Sequence, residues 1–124
     1  MGDDEPGMYR DEAFCYLTTT GRRSGRAHEI EIWFAFPPAG DGRILYMMAG
    51  GRERADWVRN LLRDPAATIR IAGRRWPAIA RTVVPDTAED TLARELLCAK
   101  YQGWRPGQPL GEWGSTALPV AFQL

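Results

Sequence analysis

An apolar run, Phe14-Cys15-Tyr16-Leu17, passes into Thr18-Thr19-Thr20-Gly21-Arg22-Arg23-Ser24-Gly25-Arg26, and an alternating run, His28-Glu29-Ile30-Glu31-Ile32-Trp33-Phe34, leaves it. No other stretch constrains the fold as tightly. Alternation with a period of two puts Ile30, Ile32 and Phe34 on one face of a strand and Glu29, Glu31 and Trp33 on the other. The predicted unit is two strands joined by a loop rich in glycine, hydroxyls and arginine. Glycine lets backbone approach a ligand closely. Arginine presents a planar fork that matches phosphate or carboxylate oxygens. Such a loop suits the anionic end of a small molecule. It lacks the glycine-lysine spacing of a Walker loop and the third glycine and following helix of a dinucleotide fingerprint. Its donors are therefore side chains and turn amides.

The rest of the chain repeats this grammar. Residues 1–8 are acidic, contain Gly and Pro, and are expected to fray. Strands are predicted over 14–19, 27–36, 43–48, 68–71, 76–84 and 117–122. Pro37-Pro38-Ala39-Gly40-Asp41-Gly42 and Ala72-Gly73-Arg74-Arg75 read as turns. The largely apolar third strand is buried on both faces or lines a site, and Gly50-Gly51 breaks it. A helix is predicted over 53–63 with Ala55, Val58, Leu61 and Leu62 inward, ended by Asp64-Pro65. A second runs over 87–101, with Thr87 as cap and Glu89 and Asp90 in its first turn. Residues 103–115 read as a loop holding Trp104 and Trp113. Six strands and two helices, mostly linked as hairpins, predict a mainly β, six-stranded split barrel. At 124 residues the chain fits one domain, 1–124.

Net charge is zero but unevenly spread. Residues 20–81 carry twelve Arg against six acids, while residues 1–19 carry five acids and one Arg. The middle of the chain is the electropositive part, which favours anionic small molecules. Overall neutrality argues against nucleic acid. Cys15 and Cys98 have no metal spacing, and a single His28 builds no His-based metal site, so no metal is expected. Both cysteines read as buried free thiols in a reducing cytoplasm. The acidic N-terminus resembles no signal peptide, and no apolar run is long enough to span a bilayer.

Thr18-Thr19-Thr20-Gly21-Arg22-Arg23-Ser24-Gly25 resembles the signature of the deazaflavin (coenzyme F420)-dependent nitroreductase and quinone reductase family. Tyr46-Met47-Met48-Ala49-Gly50-Gly51, followed by Asp56-Trp57-Val58-Arg59-Asn60-Leu61-Leu62 and Asp64-Pro65, agrees with a second family block, and Leu118-Pro119-Val120-Ala121-Phe122 with its closing strand. The resemblance covers residues 14 to 124. It implies a split β-barrel of the FMN-binding type and hydride transfer from reduced F420 to a quinone, nitroaromatic or other conjugated acceptor. By resemblance, Arg22, Arg23, Ser24, Gly25, Arg26 and His28 hold the cofactor's phosphate and tail. Met48, Ala49 and Gly50 let its ring approach backbone, and Asp56, Trp57 and Asn60 flank the ring or its side chain.

The chain departs from the family pattern in places. His28 falls where relatives commonly carry a basic residue, and Ala49-Gly50 falls where they often carry Ser or Lys. Nitro-reducing members place tyrosines around the acceptor; here Trp33, Tyr101, Trp104 and Trp113 are the candidates, and Tyr101 or water is the candidate proton donor. Two alternatives stay open: a barrel binding FMN or haem, and a non-catalytic cofactor-binding protein. Barrels of this type often pair, so a homodimer is an expectation.

Overall fold

The computed structural model describes residues 5–40 and 42–124. Residues 1–4 and Asp41, part of the predicted frayed terminus and of the first turn, lie outside them. Six antiparallel strands follow the order β2-β1-β4-β5-β6-β3. They are β1 (Cys15–Thr20), β2 (Ala27–Ile32), β3 (Ile44–Ala49), β4 (Ala66–Ile71), β5 (Arg74–Thr82) and β6 (Leu118–Gln123). Past β2 the chain crosses to the far edge, where Ala35 and Tyr46 exchange a pair of backbone hydrogen bonds of 3.0 and 2.9 Å. That pair curls the sheet into the split barrel the hairpin pattern predicts.

Alternation decides what fills the inside. Leu45, Met47 and Ala49 join Leu17, Ile69, Ile71, Val120 and Phe122 in the barrel core. Tyr46 and Met48, on the opposite face of β3, pack with Ala93 and Leu97 of helix α2 (Ala88–Gln102). The apolar third strand is thus buried on both faces, since one face meets the barrel and the other a helix. Thr87 caps α2, its hydroxyl accepting from the Asp90 amide at 3.2 Å, and Gly103 closes it at φ 67°. The β4–β5 turn uses Ala72 and Gly73, both at positive φ, the twist two-residue hairpins favour. Cys15 and Cys98 are buried free thiols, and burial pushes the Cys15 thiol up to about 12.

Five expectations need correction. The amino-terminal segment is ordered from residue 6: Pro6–Tyr9 forms a 3-10 turn with Pro6 and Gly7 buried. Gly7 seats against Gly42, its amide donating to the Gly42 carbonyl at 3.0 Å. Helix α1 spans Asp56–Arg63, because Arg52 at φ 54° and the 3-10 turn Arg52–Arg54 occupy the predicted start. Its inward face is Val58, Asn60 and Leu61, while Leu62 is 61% exposed; a buried amide has taken the position assigned to a leucine. Strand β2 ends at Ile32, four residues early. Finally, the 103–115 loop contains the start of a third helix, α3 (Glu112–Thr116).

A groove along strand β2

The loop between β1 and β2 is built against α1. Asn60 is 4% exposed. Its Oδ1 accepts from the Arg22 amide at 3.1 Å and from Arg22 Nη1 at 3.0 Å. Its Nδ2 donates to Thr19 Oγ1 at 3.0 Å. A helical asparagine inside a fold is costly unless its amide is satisfied, and here one amide ties strand, loop and helix together. Arg22 completes the clamp by pairing with Asp56 at 3.2 Å. Within the loop, Gly21 donates to the Arg26 carbonyl at 2.7 Å and Gly25 to the Gly21 carbonyl at 2.9 Å, while Ser24 Oγ accepts from the Arg26 amide at 3.1 Å. A Cβ at position 21 would lie 2.6 Å from His28 Nε2 and 2.7 Å from Ser24 Oγ, so those side chains would have to shift to admit one.

Beside this clamp lies a cleft of about 460 Å³ lined by Thr19, Gly21, Arg22, Arg23, Ser24, His28, Glu29, Ile30, Asp56, Trp57 and Asn60. Seven of the twelve expected cofactor residues meet here: Arg22, Arg23, Ser24, His28, Asp56, Trp57 and Asn60. The charges sort themselves. Arg22 is committed to Asp56 and Asn60, and Glu29 accepts both of its bonds from Arg70 Nη2, each 3.2 Å. Among the described residues Arg23 has no ion pair, so it is the cation this cleft presents. Gly25 lines a separate cleft with Arg63 and Asp64; it shares Gly21, Arg22, Arg23 and Ser24 with the first. Arg26 lines neither.

Farther along β2 a second cleft of about 450 Å³ is lined by Glu31, Ile32, Trp33, Met48, Gln102 and Trp113. Strand β2 supplies Glu29 and Ile30 to the first cleft and Glu31 and Ile32 to the second. At about 3.3 Å per residue the two are neighbours along one strand. Trp33 stacks on Tyr101, ring centres 4.4 Å apart and planes 2° off parallel. Trp113 meets Trp33 edge-on at 5.6 Å and 86°. Gly50 lies beside that indole, and a Cβ there would meet it at 3.5 Å, an ordinary van der Waals contact.

Several expected residues sit elsewhere. Ala49 is in the barrel core. Trp104 turns away from the cleft, its Nε1 donating to the Gln108 carbonyl at 2.9 Å. The Tyr101 hydroxyl donates to the Phe34 carbonyl at 3.0 Å and accepts from the Phe34 amide at 3.1 Å; burial pushes it up to about 12. Sequence reasoning missed Glu31 and Gln102. Glu31 was legible as a neighbour of Trp33 on the outward face of β2; Gln102 carried no signal. Among the described residues no group of acids, His or Cys suits a metal, and no helix is long and apolar enough to cross a membrane.

The family described as F420H(2)-dependent quinone reductase matches residues 7–121. No curated protein matches the sequence. Solved structures that share the fold include these three. One is an F420-H2 dependent reductase, FDR-A, at TM-score 0.67 and 18% identity, over 90% of this chain and 94% of that one. A domain-swapped dimer aligns at 0.66 and 19%, over 90% and 80%. A pyridoxamine 5'-phosphate oxidase-related, FMN-binding protein from Nostoc punctiforme aligns at 0.56 and 16%, over 90% and 71%.

Proposed function

The chain belongs to the F420H(2)-dependent quinone reductase family, and on that premise we propose that it reduces a quinone, nitroaromatic or similar conjugated acceptor at the aromatic end of the β2 groove. The observation that carries this reading is that strand β2 borders both clefts, His28, Glu29 and Ile30 lining one and Glu31 and Ile32 the other. One strand runs from an arginine loop to a corner of indole rings, matching a cofactor with an anionic tail and a flat head. Arg23, without an ion pair among the described residues, and the Ser24 hydroxyl both line the first cleft, a donor set that suits a phosphate.

When bound, reduced coenzyme F420 supplies a hydride. The residues of this chain supply binding and orientation. Arg23, Ser24 and His28 would hold the phosphate, Arg23 as the free cation. Arg22, Asp56 and Asn60 hold the loop in shape for it. Trp57 would flank the cofactor's middle, and Met48, Trp33 and Trp113 would exclude water around the acceptor. No side chain serves as a nucleophile. With the Tyr101 hydroxyl bonded on both sides to Phe34, water is the better candidate for protonating the product.

Fluorescence titration with F420 tests the assignment. Arg23→Ala is expected to weaken binding by tenfold or more, since a charge-assisted contact is worth about 1.5–3 kcal/mol. Arg22→Ala should weaken it as well by releasing the loop. Equal affinities for both variants and wild type reject the site. FMN titrated in parallel decides the alternative cofactor, which the FMN-binding neighbour keeps in view. The domain-swapped dimer among the neighbours supports homodimer formation here, to be read by light scattering.

A further inference from the structure

Phe34 presents an accounting problem. Strand β2 stops at Ile32, and pairing resumes only at Ala35. The Phe34 amide and carbonyl therefore have no strand partner, yet Phe34 is fully buried, where unpaired backbone groups are costly. The last turn of α2 takes the missing strand's place. Tyr101 Oη accepts from the amide at 3.1 Å and donates to the carbonyl at 3.0 Å. Lys100 Nζ donates to the same carbonyl at 3.1 Å and to the Arg10 carbonyl at 2.8 Å. The ammonium also sits 3.7 Å from the centre of the Phe34 ring, a cation–π contact.

The same tyrosine ring lies flat against Trp33. Trp33 is 43% exposed and lines the aromatic cleft, yet its backbone is fixed through the adjacent peptide and its indole through the stack. An exposed indole held from two directions by one residue behind it forms a shelf of set tilt, with Trp113 as a perpendicular wall. Offset stacking on one ring with edge contact to another is the arrangement aromatic groups prefer.

We infer that Tyr101 is a positioning residue that holds Trp33 as a stacking shelf and thereby selects flat, fully conjugated acceptors. The inference deepens the functional reading above and rests on it for the identity of the ligand as an electron acceptor. Tyr101→Phe keeps the ring and removes the hydroxyl, so it separates the peptide clamp from the stack; Tyr101→Leu removes both.

The probe is menadione, a flat naphthoquinone, bound without cofactor and followed by quenching of tryptophan fluorescence. Tyr101→Phe is expected to raise the menadione Kd about fivefold, with the F420 Kd within twofold of wild type. In turnover it should raise KM more than it lowers kcat. Tyr101→Leu should raise the menadione Kd further. A tyrosine that only stabilised the fold would lower Tm and shift both affinities together, and that result overturns the inference. So does an unchanged menadione Kd in Tyr101→Phe, or absence of menadione binding to the wild type. Should the Tyr101 variants fail to fold, Trp33→Leu, a change at a half-exposed position, must raise the menadione Kd at least as much; wild-type binding there overturns the shelf. If menadione binds and the variants respond as expected but F420H2 is not oxidised, the shelf stands and the enzymatic reading falls.

Discussion

Asn60→Ala tests the clamp that shapes the groove. The substitution removes three hydrogen bonds: one from the Arg22 amide, one from the Arg22 guanidinium and one to the Thr19 hydroxyl. The two neutral bonds are worth about 1 kcal/mol each. The bond to the guanidinium is worth about 1.5 kcal/mol, the low end for a charged donor, because the Arg22 side chain is 24% exposed and partly screened. Alanine is the better helix former by about half a kcal/mol. The net loss is about 3 kcal/mol, about a third of it from the bond to Thr19, a residue that is 2% exposed. With about 2.1 cal/mol/K of unfolding entropy per residue over 124 residues, Tm should fall by about 11 °C. Calorimetry measures this, and F420 titration at a temperature where the variant is folded should show weaker binding through the loosened loop. A fall below about 4 °C together with unchanged F420 affinity would refute the clamp.

Gly21→Ala drives a methyl into His28 and Ser24 and should weaken F420 binding at least tenfold by titration. Gly25→Ala meets no atoms but sits at φ 73°, so it should cost only about 1 kcal/mol in chemical denaturation. Trp104→Ala should leave the acceptor KM at the wild-type value in steady-state assays, because that indole faces Gln108 rather than the cleft. Stability should rise from pH 8, level off above pH 9 and fall beyond pH 10 in urea unfolding. Burial lowers Lys100 from 10.5 to about 8, so the folded state gives up that proton first and gains stability as pH rises from 8. Burial raises Cys15 from 9.0 and Tyr101 from 10.0, each to about 12; the folded state keeps those protons and loses stability above 9 and 10. Lys100→Met should abolish the rise between pH 8 and 9, and an unchanged profile would contradict this assignment.

Period-two alternation made the barrel legible, because one face of each strand must find a core. The apolar β3 read as buried on both faces or lining a site, and it does both, packed between barrel and helix with Met48 on the second cleft. The arginine loop and the Asp56–Asn60 segment were recognisable as motifs, and the fold brings them into one cleft. What the sequence hid were pairings across distance. Nothing local says that Arg22 spends its charge on Asp56 and Asn60 while Arg23 keeps its own. Asn60 read as a residue flanking the cofactor, because the partners that bury its amide, Thr19 and Arg22, lie about 40 residues away in the chain. Leu62 read as inward, since one residue of helical phase separates it from Leu61. Tyr101 read as a source of protons only because the peptide it serves lies 67 residues away.

Among the described residues the Ala35–Tyr46 rung is the single strand-to-strand bridge on the closing line, with the Phe34 peptide beside it held by Tyr101 and Lys100, while every other junction is a ladder of at least four register pairs. A cylinder zipped along one line by a single tooth has a natural place to breathe. Amide exchange should therefore begin at Ala35 and Tyr46, well before the β4–β5 hairpin lets go. Since Trp33 stands two residues from that tooth, the same breathing would let the acceptor pocket widen and narrow while the arginine loop stays put.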